Sequence, residues 1–329
     1  MEGTASHRKR VAVLDDYQSV ARELGPWEQL GDRVELTFFH DNLAAEDDVV
    51  ERLEPFDVVC LMRERTRLPA RVLERLPRLK LVVTAAMRNA AVDIDFAVSR
   101  GIEVCGTDAV HTGTPELTWL LLLTLARGLP SELESVKSGG WQTHVGVDLH
   151  GSTLGIVGLG RVGSRVAKVG QAFGMRVLAW SQNLDAATAA SKDATYADKE
   201  TLFREADFVT LSVQLSARTV GLVGRREFEL MKPTAYLINT ARSPIVDEPA
   251  LLDALARKKI AGAALDAFSH EPLPLDHPFR SLDNVILTPH IGYVTAQTYR
   301  LFYREMVEDL EAWLNGSPIR RIGSGTALR

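Results

Sequence analysis

The chain has 329 residues, about two domains at the usual size. Its 46% hydrophobic and 25% charged residues give the profile of an ordinary globular protein, with core enough to need no metal or disulfide staple. Lys and Arg number 38 against 43 Asp and Glu, and the formal charge of −5 excludes the strongly basic footprint of a nucleic-acid binder. From Arg10 onward, short β-branched runs alternate with helix-like stretches. Strands are expected at 11–14, 34–39, 58–61, 79–84 and 102–105, and helices near 19–30, 45–53, 69–75 and 94–99. Continuous apolar strands separated by helices predict a parallel sheet covered on both faces. Cys60 and Cys105 fall in two of those strands and read as small buried hydrophobes of a reducing compartment.

A long apolar helix follows to about Arg127, opened by Thr114-Pro115-Glu116, with Thr114 as the expected cap. Its most apolar run, 119–126, is too short to span a bilayer, and no apolar leader stretch precedes the first strand. A soluble cytoplasmic protein is expected. After a polar stretch around Ser138-Gly139-Gly140 a second alternation begins. Its strands are expected at 154–157, 176–180, 208–213, 235–238, 261–265 and 285–287. A last helix spans about 296–314, and residues 323–329 are expected to be disordered. The fold class is therefore α/β, with the second domain inserted into the first if the final helix returns. The boundaries are 1–107 plus 297–329 for one domain and 108–296 for the other.

Strand 154–157 ends in Gly158-Leu159-Gly160-Arg161-Val162-Gly163, and a helix pattern follows. This is Gly-x-Gly-x-x-Gly in its strand–turn–helix setting. The first glycine makes the turn, the second admits a pyrophosphate to the backbone, and the third lets helix and strand pack closely. The acid usually found about 20 residues on, for the ribose 2′-hydroxyl, is missing, and Ser181 stands in its place. No carboxylate would repel a 2′-phosphate, yet no arginine follows directly to bind one, so NAD and NADP both stay open. There is no Gly-Lys pair for a Walker loop, no Gly-x-Ser-x-Gly elbow, and no metal motif, because Pro274 interrupts the sequence opened by His270-Glu271.

Three C-terminal stretches carry the chemistry: Asn239-Thr240-Ala241-Arg242, Asp266-Ala267-Phe268-Ser269-His270-Glu271-Pro272 and Pro289-His290-Ile291-Gly292. Each follows an expected strand, so Arg242, Asp266, Glu271 and His290 lie at carboxyl ends, where open α/β sheets bind ligands. With the glycine fingerprint, these motifs make nearly the whole chain resemble the D-isomer-specific 2-hydroxyacid dehydrogenases.

The resemblance implies a split flavodoxin-like substrate domain and an inserted Rossmann NAD(P)-binding domain. It also implies hydride transfer between NAD(P)H and a small 2-keto or D-2-hydroxy acid. The family's catalytic arginine, glutamate and histidine fall on Arg242, Glu271 and His290. The cofactor side falls on Thr114, Gly158, Gly160, Arg161, Val162, Gly163, Ser181, Thr240, Ala241 and Asp266. Substrate contacts fall on Ala86, Met87, Arg88 and Arg242. Arginine suits a substrate carboxylate, and histidine suits proton transfer near neutrality, with a glutamate beside it to orient the ring.

Two departures stand out: Ala86 where glycine is common, and Ser243 after Arg242 where glycine is common. Arg63, Arg65 and Trp141 are further candidates for the cleft, each with a surface or packing alternative. The resemblance also implies a homodimer, through the helix from Pro115 and the arm to Trp141. The alternative to an enzyme is a nicotinamide-responsive binding module of corepressor type.

Overall fold

The computed structural model describes residues 8–323. The expected disordered tail lies outside them from residue 324 on. The described residues divide into two units: one runs to Val110 and resumes at Thr295, the other is His111–Val294.

The first unit holds five parallel strands, β1 (Lys9–Val13), β2 (Val34–Phe38), β3 (Val58–Leu61), β4 (Leu81–Thr84) and β5 (Glu103–Gly106), in the order β2-β1-β3-β4-β5. That is the flavodoxin-like order. β3 and β4 are buried at every residue, as a sheet covered on both faces requires. Covering helices are α1 (Ala21–Leu24), α2 (Glu46–Leu53), α3 (Ala70–Leu73) and α4 (Ile94–Ser99). The expected helix over 19–30 is interrupted. Gly25-Pro26 ends α1, and a 3-10 stretch, Trp27–Arg33, follows. A Cβ on Gly25 would run into the Trp27 ring and lie 2.8 Å from the Tyr303 Cβ, so only glycine fits where α1 ends. Cys60 and Cys105 are buried and unpaired. They flank Val83 from opposite sides in the register of the sheet, two strand spacings or about 10 Å apart, beyond disulfide reach.

The second unit opens with α5 (Gly113–Arg127) and α6 (Leu129–Lys137). Its seven parallel strands are β6 (Thr153–Val157), β7 (Arg176–Trp180), β8 (Thr195–Tyr196), β9 (Phe208–Leu211), β10 (Tyr236–Asn239), β11 (Gly262–Leu265) and β12 (Val285–Leu287). Their order is β12-β11-β10-β9-β6-β7-β8, the doubly wound arrangement extended by one strand. The direction of winding reverses between β6 and β9, so the ligand crevice of such a sheet lies beyond Val157 and Leu211. Helices α7 (Arg161–Ala172), α8 (Ala186–Ala190), α9 (Lys199–Glu205), α10 (Arg225–Leu230) and α11 (Glu248–Ala256) cover its faces. The last helix, α12 (Ala296–Leu314), belongs to the first unit. Among the described residues no helix is long and apolar enough to cross a membrane.

Candidate active site

The glycine fingerprint forms the turn from β6 into α7. Gly158 has φ +102°, and a Cβ there would meet the Val213 backbone nitrogen at 2.7 Å. A Cβ on Gly163 would drive into the Gly158 carbonyl. Both positions require glycine for reasons internal to the fold. Gly160 differs, because a Cβ there would meet nothing within 4 Å. Nothing in the described chain forbids a side chain at Gly160, so the open space is room for a ligand. Gly160 caps α7 with no side chain, and no acid occupies the first turn. The free amides and the positive end of the helix dipole suit a pyrophosphate, so these residues fit a dinucleotide. Val162 packs on the core beneath. The Arg161 guanidinium contacts the His111 ring, and Arg165 donates to the His111 carbonyl at 2.8 Å.

Thr114 lies inside the first turn of α5, whose cap is Thr112, so the expected capping role is not observed. Its hydroxyl donates instead to the Gly292 carbonyl at 3.2 Å. Thr118, which the sequence did not single out, meets the Thr240 hydroxyl at 2.7 Å and bonds the Thr114 carbonyl at 2.8 Å. The 240–242 turn is held by Asn239, which accepts from the Ala241 N–H at 3.0 Å and donates to the Arg242 carbonyl at 3.1 Å. Ser243 needs no glycine backbone. It starts a short 3-10 turn, is buried, and its hydroxyl lies 3.0 Å from that of Ser269.

His290 and Glu271 are brought together. His290 Nδ1 donates to Glu271 Oε2 at 2.7 Å, and among the described residues Nε2 has no hydrogen-bond partner. The other Glu271 oxygen accepts from the Phe268 N–H at 2.8 Å. Burial pushes the Glu271 carboxyl up. The hydrogen bond and charge of His290, the Phe268 N–H and the Arg242 guanidinium outweigh it and hold the carboxyl below its ordinary range. Tyr293 stands edge-on to the His290 ring at 5.6 Å.

His290 has φ +54°, a left-handed backbone that costs a non-glycine residue about 1 kcal/mol. Asp266 holds that turn in place. Its carboxylate accepts from Thr288 Oγ1 at 2.6 Å, the Ile291 N–H at 2.8 Å and the Gly292 N–H at 2.8 Å. The residue is 1% exposed, and burial raises its pKa against the pull of these donors. The polar atoms of Asp266 are thus committed to the backbone that carries His290.

Ala86, Met87 and Arg88 form a loop of the first unit after β4. Ala86 has φ +70°, the backbone that favours glycine, and its N–H donates to Thr107 Oγ1 at 2.8 Å. Met87 packs on the core and Arg88 is exposed. Asn89 pins the loop by donating to Thr84 Oγ1 and to the Arg63 carbonyl. Arg65 lies 4.4 Å over the Tyr17 ring and donates to the Asp15 carbonyl and to Tyr299. Trp141 is 73% exposed, so no packing role is observed for it.

Residues 119–292 match the profile described as D-isomer specific 2-hydroxyacid dehydrogenase, NAD binding domain. A glyoxylate reductase from Aeropyrum pernix is 38% identical over 76% of this chain and 78% of its own length. A D-3-phosphoglycerate dehydrogenase from Methanocaldococcus jannaschii is 36% identical over 82% of this chain, which spans about half, 52%, of that longer protein. The crystal structure of a phosphoglycerate oxidoreductase from Vibrio cholerae superposes with a TM-score of 0.89 at 33% identity, covering 94% of this chain and all of that one. The chain therefore belongs to the D-isomer specific 2-hydroxyacid dehydrogenase family, the NAD(P)-dependent oxidoreductases that interconvert 2-hydroxy and 2-keto acids.

Proposed function

We propose that the protein reduces small 2-keto acids of the glyoxylate and hydroxypyruvate kind, with His290 as proton donor, Glu271 as its partner and Arg242 as the carboxylate anchor. The observation that carries this reading is the Glu271–His290 pair at 2.7 Å, with Nε2 left open, in the same unit as the glycine turn. A dinucleotide held by its pyrophosphate at that turn would supply the hydride for the carbonyl carbon from its nicotinamide. The protein supplies the rest. Glu271 holds the Nδ1 proton and thereby orients the ring, so that Nε2–H can deliver its proton to the substrate oxygen. In oxidation the same nitrogen takes the proton back. Arg242, planar and always charged, pairs with a carboxylate. Asp266 keeps His290 in place, and Thr114, Thr240, Ala241 and the backbone from Gly158 to Gly163 line the cofactor side. Ala86, Met87 and Arg88 are assigned to the substrate acid, on the resemblance alone.

The assembly we propose is a homodimer in the cytoplasm. No residue of α6 is buried, and Leu120, Leu129, Leu133, Val136 and Trp141 expose apolar surface along α5, α6 and the following arm. Unpaired thiols at Cys60 and Cys105 suit a reducing compartment. The functional test is a panel of glyoxylate, hydroxypyruvate, pyruvate, phenylpyruvate and 3-phosphoglycerate with NADH and NADPH. Turnover greatest on the two smallest acids supports the reading. Turnover on 3-phosphoglycerate alone overturns the substrate assignment, and none on any acid overturns the activity.

A further inference from the structure

Three hydrogen bonds converge on the corner where β7 ends. The Gly158 N–H donates to the Trp180 carbonyl at 2.7 Å, so Ser181 begins immediately beside the glycine turn. Lys192, arriving after α8, donates from Nζ to the Leu159 carbonyl at 2.7 Å and so sets its ammonium on the same turn. Gln182 donates from Nε2 to the Arg218 carbonyl at 3.1 Å, which ties the loop after β9 to the same corner. Lys192 is half-buried and Arg218 exposed, and among the described residues neither is ion-paired to a carboxylate. The first acid after β7 is Asp185. Its carboxylate caps α8, accepting from the Thr188 N–H at 2.6 Å. Arg161, the cation of the glycine turn itself, is engaged with His111.

A 2′-hydroxyl of adenosine asks for a carboxylate at the end of this strand, whereas a 2′-phosphate asks for cations and hydroxyls. The corner offers Ser181, the Lys192 ammonium and the backbone of an exposed arginine, Arg218, on a second loop, the two basic residues both distant in sequence from the fingerprint. We propose that Lys192 and Arg218, with Ser181, form a 2′-phosphate site that makes NADPH the more tightly held cofactor. The inference rests on the dinucleotide reading of the second unit and adds to it the choice between the two cofactors. A Lys192 ammonium has three N–H donors and spends one on Leu159, which leaves two for a phosphate.

Equilibrium binding of NADPH and NADH, read by nicotinamide fluorescence without substrate, tests this. NADPH should bind at least about tenfold tighter at low salt, with the advantage shrinking as ionic strength rises. Arg218→Ala and Lys192→Met should each weaken NADPH by about fivefold while leaving NADH within about twofold, in line with loss of one charge-assisted contact. Lys192→Arg, which keeps the charge, should retain the preference. Ser181→Asp should reverse it. NADH bound as tightly as NADPH by the wild type overturns the proposal. So does an unchanged NADPH preference in Arg218→Ala, or equal weakening of both cofactors in Lys192→Met. Binding of neither cofactor overturns the dinucleotide reading itself and this inference with it.

Discussion

His290 and Glu271 act as one unit, and their replacements should separate proton transfer from binding. His290→Ala removes the proposed general acid and should lower kcat by about 10²–10⁴-fold while cofactor binding by fluorescence stays intact. For Glu271 the sign follows from its depressed pKa. A carboxyl lowered on folding contributes stability that is fully present above its unfolded value and is lost as pH falls through the lower native value. The melting difference between wild type and Glu271→Gln should therefore be present at neutral pH and vanish in acid. Melting curves from pH 3 to 7 check this. Asp266→Asn replaces an acceptor oxygen by an amide that donates, facing the N–H groups of Ile291 or Gly292. It should cost about 1–3 kcal/mol in denaturant unfolding and lower kcat by loosening the His290 turn. The sequence made Arg242, Glu271 and His290 visible because each sits in a distinctive motif after a strand. It could not show that Asp266 is committed to the turn 24 residues on, or that Lys192 reaches Leu159. Those are long-range pairings fixed by the return of the chain, with no local pattern to read.

At the scale of elements, α12 is built around a buried conflict. Glu305 and Asp309 lie one turn apart on its buried face, and Arg320 reaches Asp309 Oδ1 at 3.0 Å and Glu308 at 2.8 Å. Asp309 Oδ2 is buried without a hydrogen-bond partner among the described residues. Burial drives the Asp309 carboxyl up to about 7, against the pull of Arg320 and with the neighbouring Glu305 and Glu308 adding to the rise. A raised acid binds more protons folded than unfolded, so stability falls as pH rises from about 4 to 7, by up to about 4 kcal/mol for a three-unit shift. Asp309→Asn should flatten that slope in denaturant unfolding at stepped pH. The elements themselves were legible where apolar residues run on without a break: β3, β7 and β12 have the expected bounds, although of the three only β3 is buried at every residue. β8 was not, since two exposed residues at a sheet edge carry no hydrophobic period. Nor was α6, which buries nothing and so shows no core stripe, although the proline near its start was a usable signal.

At the scale of the whole molecule, the apolar surface of α5 and α6 has to be reconciled with an otherwise well-charged exterior. Leu133 and Val136 are 52% and 56% exposed, three residues apart and hence on neighbouring positions of one helix face. If a second copy covers them, Leu133→Glu with Val136→Glu places charges in an apolar contact. Sedimentation should then shift from dimer to monomer with the far-ultraviolet circular dichroism unchanged. A wild type that sediments as a monomer at micromolar concentration removes the dimer.

The two cysteines flanking Val83 give the chain a built-in clock. The sequence has only these two, both in the first unit, and burial raises both thiols, Cys105 to about 12 and Cys60 further. A thiol reagent can therefore reach neither until the five-stranded sheet opens. The slow rate at which the native protein consumes such a reagent measures how often that one sheet breathes, in a molecule whose other sheet stays chemically silent.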